Sequence, residues 1–183
     1  MATPSKDVAE EFFPPRTQPS REQIDANMAE VLALQATARS EHGKRPFAGI
    51  LVGPDHKTIL LRHQSVSHVD HAESSLARLS SLHYSQAYLW QCTLYSTWEP
   101  CAMCAATIYW ANIGRVVFGA SNDTLFKLTG AGNRENFTMK WGCAEVVGGG
   151  QKDVEVVGPL VVEGWEEKVV ADADLYWSKV RQG

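Results

Sequence analysis

The chain has 183 residues, a length expected of one domain with short additions. Hydrophobic residues make up 44% and charged residues 21%, so the chain can bury a core, and disorder, collagen and coiled coil are excluded for the bulk of it. The net charge is −4, and the central residues 47–151 hold seven basic and seven acidic side chains. No region is basic, so the charge pattern does not indicate a surface for nucleic acid.

The sequence predicts neither secretion nor a membrane partner. Its start carries acids where a signal peptide has an apolar core, and its longest uncharged stretch, 79–98, is rich in Ser, Thr, Gln, Tyr and His. Four cysteines in such a chain are more typical of metal binding or catalysis than of a disulfide framework. We therefore expect a cytoplasmic protein, with the nucleus as an alternative.

The pattern of elements favours an α/β protein. Four prolines predict a flexible N-terminal lead-in over residues 1–19, and the domain occupies 20–183. Ser20 and Gln23 form a capping box that begins a helix. The predicted elements are helix 20–40, strands 47–53 and 58–62 joined as a hairpin, helix 71–83, strand 91–97, helix 102–111, strand 115–119, a functional loop 121–150 with no more than one helical turn, strands 154–157 and 160–162, and an amphipathic helix over 165–180. This order predicts a three-layer α/β/α sandwich with a central mixed five-stranded sheet.

Two short motifs, HAE at 71–73 and PCAMC at 100–104, each begin a predicted helix. A Cys-x-x-Cys pair there places the sulfurs of Cys101 and Cys104 on one side of the first turn, where the helix dipole favours thiolates. Two thiolates and the imidazole of His71 make a three-ligand set, which is typical of a catalytic zinc with its fourth position open to water. Glu73 can lie beside that position and relay protons without binding the metal.

Each motif has a simpler interpretation when it is taken alone. A Cys-x-x-Cys pair can be a redox dithiol, but this leaves His71 and Glu73 unexplained. It can also be half of a structural zinc site, but Cys92 and Cys143 do not form a second close pair. A lone HxE is common by chance. The two motifs together, joined as helix, strand and helix, favour the catalytic zinc site.

The combination H-x-E…P-C-x-x-C is the signature of zinc nucleobase deaminases, and over about residues 21–180 the chain resembles the cytidine-deaminase-like superfamily. The segments TLYSTWEPCAMCAATIYWANIGRVVFGAS and PFAGILV are similar to the branch that holds guanine, cytosine and tRNA adenosine deaminases. This resemblance implies that His71, Cys101 and Cys104 bind zinc and that Glu73 is the proton shuttle. It also implies a homodimer or a larger oligomer.

Some substrate contacts are implied by the same resemblance. In the branch, an asparagine on the strand before the HAE motif usually contacts the base, and Gln64 stands at the matching place here, one methylene longer. Ala72, inside the motif, is a further candidate. Phe47 belongs to a segment that the family places under the substrate, where it lines the pocket or packs as an ordinary aromatic residue.

Other candidates come from the residues themselves. Trp98 precedes the Glu-Pro-Cys sequence, where relatives often carry Cys or Ala, and it can either stack on a planar ring or pack at the end of its strand. The 121–150 loop is expected to close part of the pocket. Within it, Asp123 and Glu135 are candidates for a second acid, and each has an alternative role as a turn or cap residue.

The expected reaction is hydrolytic removal of a ring amine. Zinc lowers the pKa of its bound water toward neutrality, and Glu73 carries protons to the ring and to the departing amine, so that ammonia leaves and a carbonyl forms. We expect a small aminated heterocycle as substrate, guanine-like first and cytosine-like second. A tRNA- or DNA-editing deaminase would need a basic groove, and a non-catalytic subunit would lack Glu73 or a ligand; these are the alternatives from other classes.

Overall fold

The computed structural model describes residue 8 and residues 11–182. The strands in this part of the chain are β1 (Ala48–Val52), β2 (Ile59–Gln64), β3 (Thr93–Trp98), β4 (Arg115–Ala120) and β5 (Glu155–Val157). They form one sheet in the order β2-β1-β3-β4-β5. β1 pairs antiparallel with β2 and β3, while β3, β4 and β5 run parallel. The predicted mixed five-stranded sheet is confirmed.

Seven helices lie around this sheet within residues 21–182. They are α1 (Arg21–Ser40), α2 (Ala72–His83), α3 (Gln86–Gln91), α4 (Ala102–Trp110), α5 (Asn122–Thr129), α6 (Cys143–Gly148) and α7 (Trp165–Gln182). The capping box predicted for α1 is present, since the Ser20 side chain accepts from the Gln23 N–H and the Gln23 side chain accepts from the Ser20 N–H.

The sheet separates two apolar cores because successive strand residues point to opposite faces. Ile50 and Val117 belong to the core that α1 and α7 cover. Leu51 and Val116, their neighbours in sequence, belong to the core that α2 and α4 cover. Every residue of β1, β3 and β4 is buried, as expected of central strands with helices on both faces. The three-layer prediction is confirmed.

The region 121–150 differs from its prediction as a long loop, because it contains α5 and α6. Ser121 accepts from the Thr124 N–H and begins α5, which Gly130 ends with a positive φ of 81°. These are ordinary cap signals, and the Gly, Asn and Thr content of the region obscured them. Residues 130–142 between the two helices remain irregular.

Two further elements were predicted incorrectly. Residues 160–162 are not a strand, because the Leu160 N–H donates to Gly119 O and the chain then turns over 161–164. Helix α3 was not predicted, although Ser85 caps it by accepting from the Tyr88 N–H. Six residues are too few for a helical period to be recognised.

The described part of the lead-in packs against α3 and against the segments just before β4 and β5. Phe13 packs edge-on against Trp90 at 4.8 Å, and Arg16 lies 4.2 Å above the same indole ring. Arg16 also donates to Gly114 O and to Asp153 O. The flexible lead-in stays a prediction for residues 1–7, 9 and 10, which lie outside the described residues. Among those described, no helix is long and apolar enough to span a membrane.

Arg115 joins the start of three strands, and its removal is expected to destabilise the protein. It is 1% exposed and donates to Glu155 Oε2 at 2.8 Å, Thr93 Oγ1 at 3.3 Å and Thr17 O at 3.0 Å. Arg115→Met leaves these acceptors without their donor, so we expect the free energy of unfolding to fall by about 3 kcal/mol. Urea denaturation measures the change.

The matched control is Arg62→Met on β2, because Arg62 pairs with Glu30 while both side chains are about half exposed. This change is expected to cost less than about 1 kcal/mol. Equal losses in the two variants would contradict the structural role given to Arg115.

Candidate active site

Helices α2 and α4 begin close to one another, and each carries a metal-binding side chain at its N-terminus. His71 is the N-cap residue of α2 and Cys101 is the N-cap residue of α4, and neither side chain caps its own helix. Cys104 lies in the first turn of α4 and is fully buried. The ligand atoms of these three residues all lie within 4.8 Å of one another. The sequence prediction that they come together is confirmed.

The spacing of these atoms fits zinc. His71 Nδ1 lies 3.6 Å from Cys101 Sγ and 3.5 Å from Cys104 Sγ. A tetrahedral zinc with bonds of about 2.3 Å to sulfur and about 2.0 Å to nitrogen separates such ligand atoms by about 3.6 Å. Two sulfurs and one imidazole are also a donor set that zinc prefers over hard cations.

Neighbouring groups favour a thiolate at this point. Hydrogen bonds from Cys104 and His71 lower the pKa of Cys101 below its usual range, although burial opposes the shift. The hydrogen bond with Cys101 in turn raises the pKa of His71. The hydrogen bond between Cys101 and Cys104, together with burial, raises the pKa of Cys104, so these groups favour a thiolate, the form of cysteine that binds metals, at Cys101 alone.

Glu73 lies in the first turn of α2 and is 5% exposed. Ser96 on β3 donates to Glu73 Oε1 at 2.8 Å, and Cys104 Sγ lies 3.6 Å from Glu73 Oε2. Burial raises the pKa of the Glu73 carboxyl, with the Ser96 hydrogen bond opposing that shift. A carboxyl group with a raised pKa, beside a metal site, is suited to accepting and returning protons.

A cavity of about 300 Å³ opens from these groups. The residues that line it are Arg45, Phe47, Ser65, His68, His71, Glu73, Trp98, Glu99, Cys101, Met103, Asn122, Leu125, Glu135, Asn136, Phe137, Thr138 and Met139. Most of the wall surface is apolar, although polar and charged side chains outnumber the aromatic and aliphatic ones. This composition is typical of a site for a small organic molecule.

Two predicted aromatic residues line the cavity. Phe47 packs edge-on against Trp98 at 6.4 Å and against Trp177 at 6.0 Å. Trp98 is 1% exposed, and its indole N–H donates to Pro46 O at 3.1 Å. Trp98 is therefore packed at the end of β3, and because it also lines the cavity, its stacking on a substrate ring stays a prediction.

Gln64 and Ala72 are not among the lining residues. Gln64 Oε1 lies 2.8 Å from His42 Nδ1, and Gln64 Nε2 donates to Leu34 O. Both atoms of its amide are therefore hydrogen-bonded within the protein and not at the cavity wall. Ala72 is fully buried, and its Cβ lies close to Gly49 of β1. The structure therefore does not support the substrate contacts predicted for these two side chains.

The two candidates for a second acid also separate. Glu135 lines the cavity, and its Oε2 accepts from the Tyr176 hydroxyl at 2.6 Å. Arg45 donates to the Glu135 backbone carbonyl at 3.0 Å, which holds this part of the segment against the body. Asp123 is exposed in the first turn of α5 and does not line the cavity.

Glu99, which no sequence motif singled out as functional, joins the region 121–150 to the metal site. Its carboxylate accepts from the Asn122 N–H at 3.0 Å and from the Cys143 N–H at 2.8 Å, at the starts of α5 and α6. A Cβ at position 142 would lie 2.6 Å from Glu99 Oε1, so Gly142 permits this close approach. Glu99 stands two residues before Cys101, so its carboxylate joins the ligand loop to the starts of both helices.

Comparisons with known proteins agree with this geometry. Residues 21–120 match the family described as the cytidine and deoxycytidylate deaminase zinc-binding region. The chain is also 32% identical over 155 residues to a probable cytosine deaminase of Schizosaccharomyces pombe, covering 83% of this chain and 91% of that relative. The chain belongs to this deaminase family.

The chain is also similar to deaminases that are named for other substrates. A tRNA-specific adenosine deaminase of Haemophilus influenzae is 32% identical over 122 residues, which are 64% of this chain and 68% of that relative. The solved structure of a guanine deaminase from Nitrosomonas europaea superposes with a TM-score of 0.66 at 19% identity, over 95% of this chain and 93% of that one. This likeness confirms the cytidine-deaminase-like fold. The protein is a zinc-dependent hydrolytic deaminase.

Zinc analysis is expected to find one ion per chain in the wild type. Cys101→Ala and Cys104→Ala each remove a thiolate ligand, so both variants are expected to lose the ion and to become less stable. Elemental analysis of the purified protein measures the zinc content.

Cys92→Ala is the matched control, because Cys92 is also a buried free cysteine but is not one of the three clustered ligands. It is expected to keep its zinc. Full zinc occupancy in Cys101→Ala would show that the ligand set is wrong.

Proposed function

We propose that the enzyme removes the exocyclic amine of a free nucleobase, with a guanine-like base as the first substrate. The observation that carries this proposal is the cavity of about 300 Å³ that opens beside His71, Glu73 and Cys101 and is walled by Phe47 and Trp98. Its volume is at the lower end for small-molecule sites, which suits one planar ring system. A two-ring base fills more of it than a one-ring base.

The roles of the side chains follow from their contacts. His71, Cys101 and Cys104 hold the zinc, which when bound supplies a water whose pKa is lowered toward neutrality. Ser96 orients Glu73 through its Oε1. The carboxylate of Glu73 takes a proton from the attacking water.

Glu73 then passes that proton to the ring nitrogen beside the amine-bearing carbon, while the water oxygen forms a bond to this carbon. In the second half, Glu73 accepts the remaining hydroxyl proton and delivers it to the amine. The C–N bond breaks, ammonia leaves and the ring keeps a carbonyl group. Water and the aminated ring thus become ammonia and the oxo ring, with no further reactant.

Glu135 is the second carboxylate of the proposed site. Tyr176 donates to its Oε2, and this fixes the carboxylate at the cavity wall. Burial and the hydrogen bond with Glu135 raise the pKa of Tyr176 to about 12, so the hydroxyl remains a donor at neutral pH. Glu135 can accept a hydrogen bond from a second ring N–H, which a guanine-like base provides.

The charge around the cavity favours a free base over a polynucleotide. Among the described residues that line it, Arg45 is the one arginine or lysine, whereas three are glutamates, namely Glu73, Glu99 and Glu135. Arg45 is already bound to the Glu135 carbonyl and to His68 Nδ1 at 3.1 Å. A strand of nucleic acid requires several cations along its path.

A cytosine-like base is the second candidate, because the Schizosaccharomyces pombe relative, a probable cytosine deaminase, shares 32% identity across most of both chains. A one-ring base leaves more of the cavity to water but meets the same zinc ligands and Glu73. The homodimer and the cytoplasmic location stay predictions from the sequence.

Ammonia release over a panel of free bases, nucleosides and tRNA tests the substrate class. We expect turnover of guanine or cytosine that changes little between about 50 and 200 mM salt, because a neutral base releases no counterions. Activity on tRNA or single-stranded DNA alone, with affinity that falls by orders of magnitude over this range, would contradict the proposal.

Glu73→Gln tests the proton shuttle, since glutamine keeps the size of the side chain but cannot carry a proton. We expect the variant to keep its zinc and to bind the base, while kcat falls by about 10²–10⁴-fold or more. Steady-state kinetics and zinc content measure both effects.

Glu30→Gln is the matched control, because the same change is made at an exposed carboxylate on α1. It is expected to leave kcat unchanged. A Glu73→Gln enzyme with kcat within tenfold of the wild type would show that another group moves the protons.

A further inference from the structure

Ser96 is a polar residue on the face of β3 that packs against α2 and α4. Leu94, two residues earlier on the same face, belongs to their apolar core, and Ser96 is 1% exposed. The single hydrogen of the Ser96 hydroxyl has two acceptors nearby, Glu73 Oε1 at 2.8 Å and Ala48 O at 3.5 Å. The first distance is that of an ordinary O–H···O hydrogen bond and the second is too long, so the hydroxyl donates to Glu73.

The two oxygens of the Glu73 carboxyl group have different surroundings. Oε1 is held by Ser96 on the sheet, whereas Oε2 lies 3.6 Å from the Sγ atom of the zinc ligand Cys104. Glu73 lines the cavity, but Ser96 does not. Any effect of Ser96 on the reaction therefore passes through Glu73 and not through a contact with the substrate.

Close packing of α2 on β1 brings Glu73 within reach of Ser96. Gly49 of β1 is the residue paired with Ser96 across the two strands. A Cβ at position 49 would lie 2.9 Å from Leu76 Cδ1 and 3.7 Å from Ala72 Cβ, and both of these residues belong to α2. The absence of a side chain at Gly49 thus lets α2 approach the sheet at the point where Glu73 meets β3.

We propose that Ser96 is a positioning residue for the deamination, which fixes Oε1 of Glu73 so that Oε2, on the side of the zinc ligands, is the oxygen that exchanges protons with the water and the base. The inference rests on the proposed role of Glu73 as the proton carrier. Without the hydroxyl, the carboxyl group can rotate away from the reacting atoms, and a displacement of about 1 Å can lower a rate by about 100-fold. Ser96 thus contributes to the rate of the reaction and not to the affinity for the base.

Ser96→Ala removes the donor and little else. We expect kcat to fall by about 10–100-fold, because a hydrogen bond to a carboxylate is lost. KM is expected to stay unchanged, since Ser96 does not line the cavity. Ser96→Thr keeps a hydroxyl group and is expected to retain most of the wild-type kcat. Steady-state kinetics with guanine or cytosine, whichever the wild type turns over, measure both constants, and zinc content and melting temperature establish that each variant is folded.

A double-mutant cycle with Glu73→Gln separates positioning of Glu73 from a general structural role. In the Glu73→Gln enzyme, we expect Ser96→Ala to change the residual kcat by less than about twofold, because the carboxylate that Ser96 positions is already absent. Ser80→Ala is the matched control, since Ser80 is a buried serine on the same helix as Glu73 and its hydroxyl donates to Ala77 O. This variant is expected to keep the wild-type kcat.

A Ser96→Ala enzyme with the wild-type kcat, or one that loses the same factor in kcat with and without Glu73→Gln, would overturn the role of Ser96 while the proposed function stands. A wild-type enzyme that releases ammonia from neither guanine nor cytosine would refute the proposed function, and the assignment of Ser96 would fall with it.

Discussion

The site depends on two helices that begin at one point. His71 and Cys101 are the N-cap residues of α2 and α4, and neither side chain makes a capping hydrogen bond. The helix starts therefore leave two ligand atoms free while their dipoles favour the negative charge of the thiolates. Cys104 and Glu73 follow within the first turns, so four chemically active groups need only two correctly placed helices. The parallel pairing of β3 with β4 fixes the position of the end of β3, after which the chain enters α4.

The closure of the cavity depends on a second, less local constraint. The Glu99 carboxylate accepts hydrogen bonds from backbone N–H groups at the starts of α5 and α6. These bonds hold the region 121–150 close to the metal site. Tyr176 and Arg45 hold the same region from α7 and from the segment before β1. The loop that completes the cavity is thus fixed by hydrogen bonds to groups that lie far away in the sequence.

What the sequence could predict follows from the range of the interactions involved. The three zinc ligands and Glu73 lie in two short motifs, and the α/β layering follows from local periodicity, so both were predictable. The role of Glu99 was not, because it joins residues 23 and 44 positions away. Gln64 was misplaced because its orientation depends on His42, a contact between β2 and the end of α1 that no local pattern reveals. That Asn122 lines the cavity could have been predicted from its place after β4, because the carboxyl ends of parallel strands share one edge of the sheet.

The central claim is a zinc ion with three protein ligands and one open position. Zinc K-edge X-ray absorption of the wild-type enzyme measures this directly. The account predicts two sulfur ligands at about 2.3 Å and two nitrogen or oxygen ligands at about 2.0 Å, one of them from water. Three or four sulfur ligands, which would bring Cys92 or Cys143 into the shell, would mean a closed structural site and contradict the proposed chemistry.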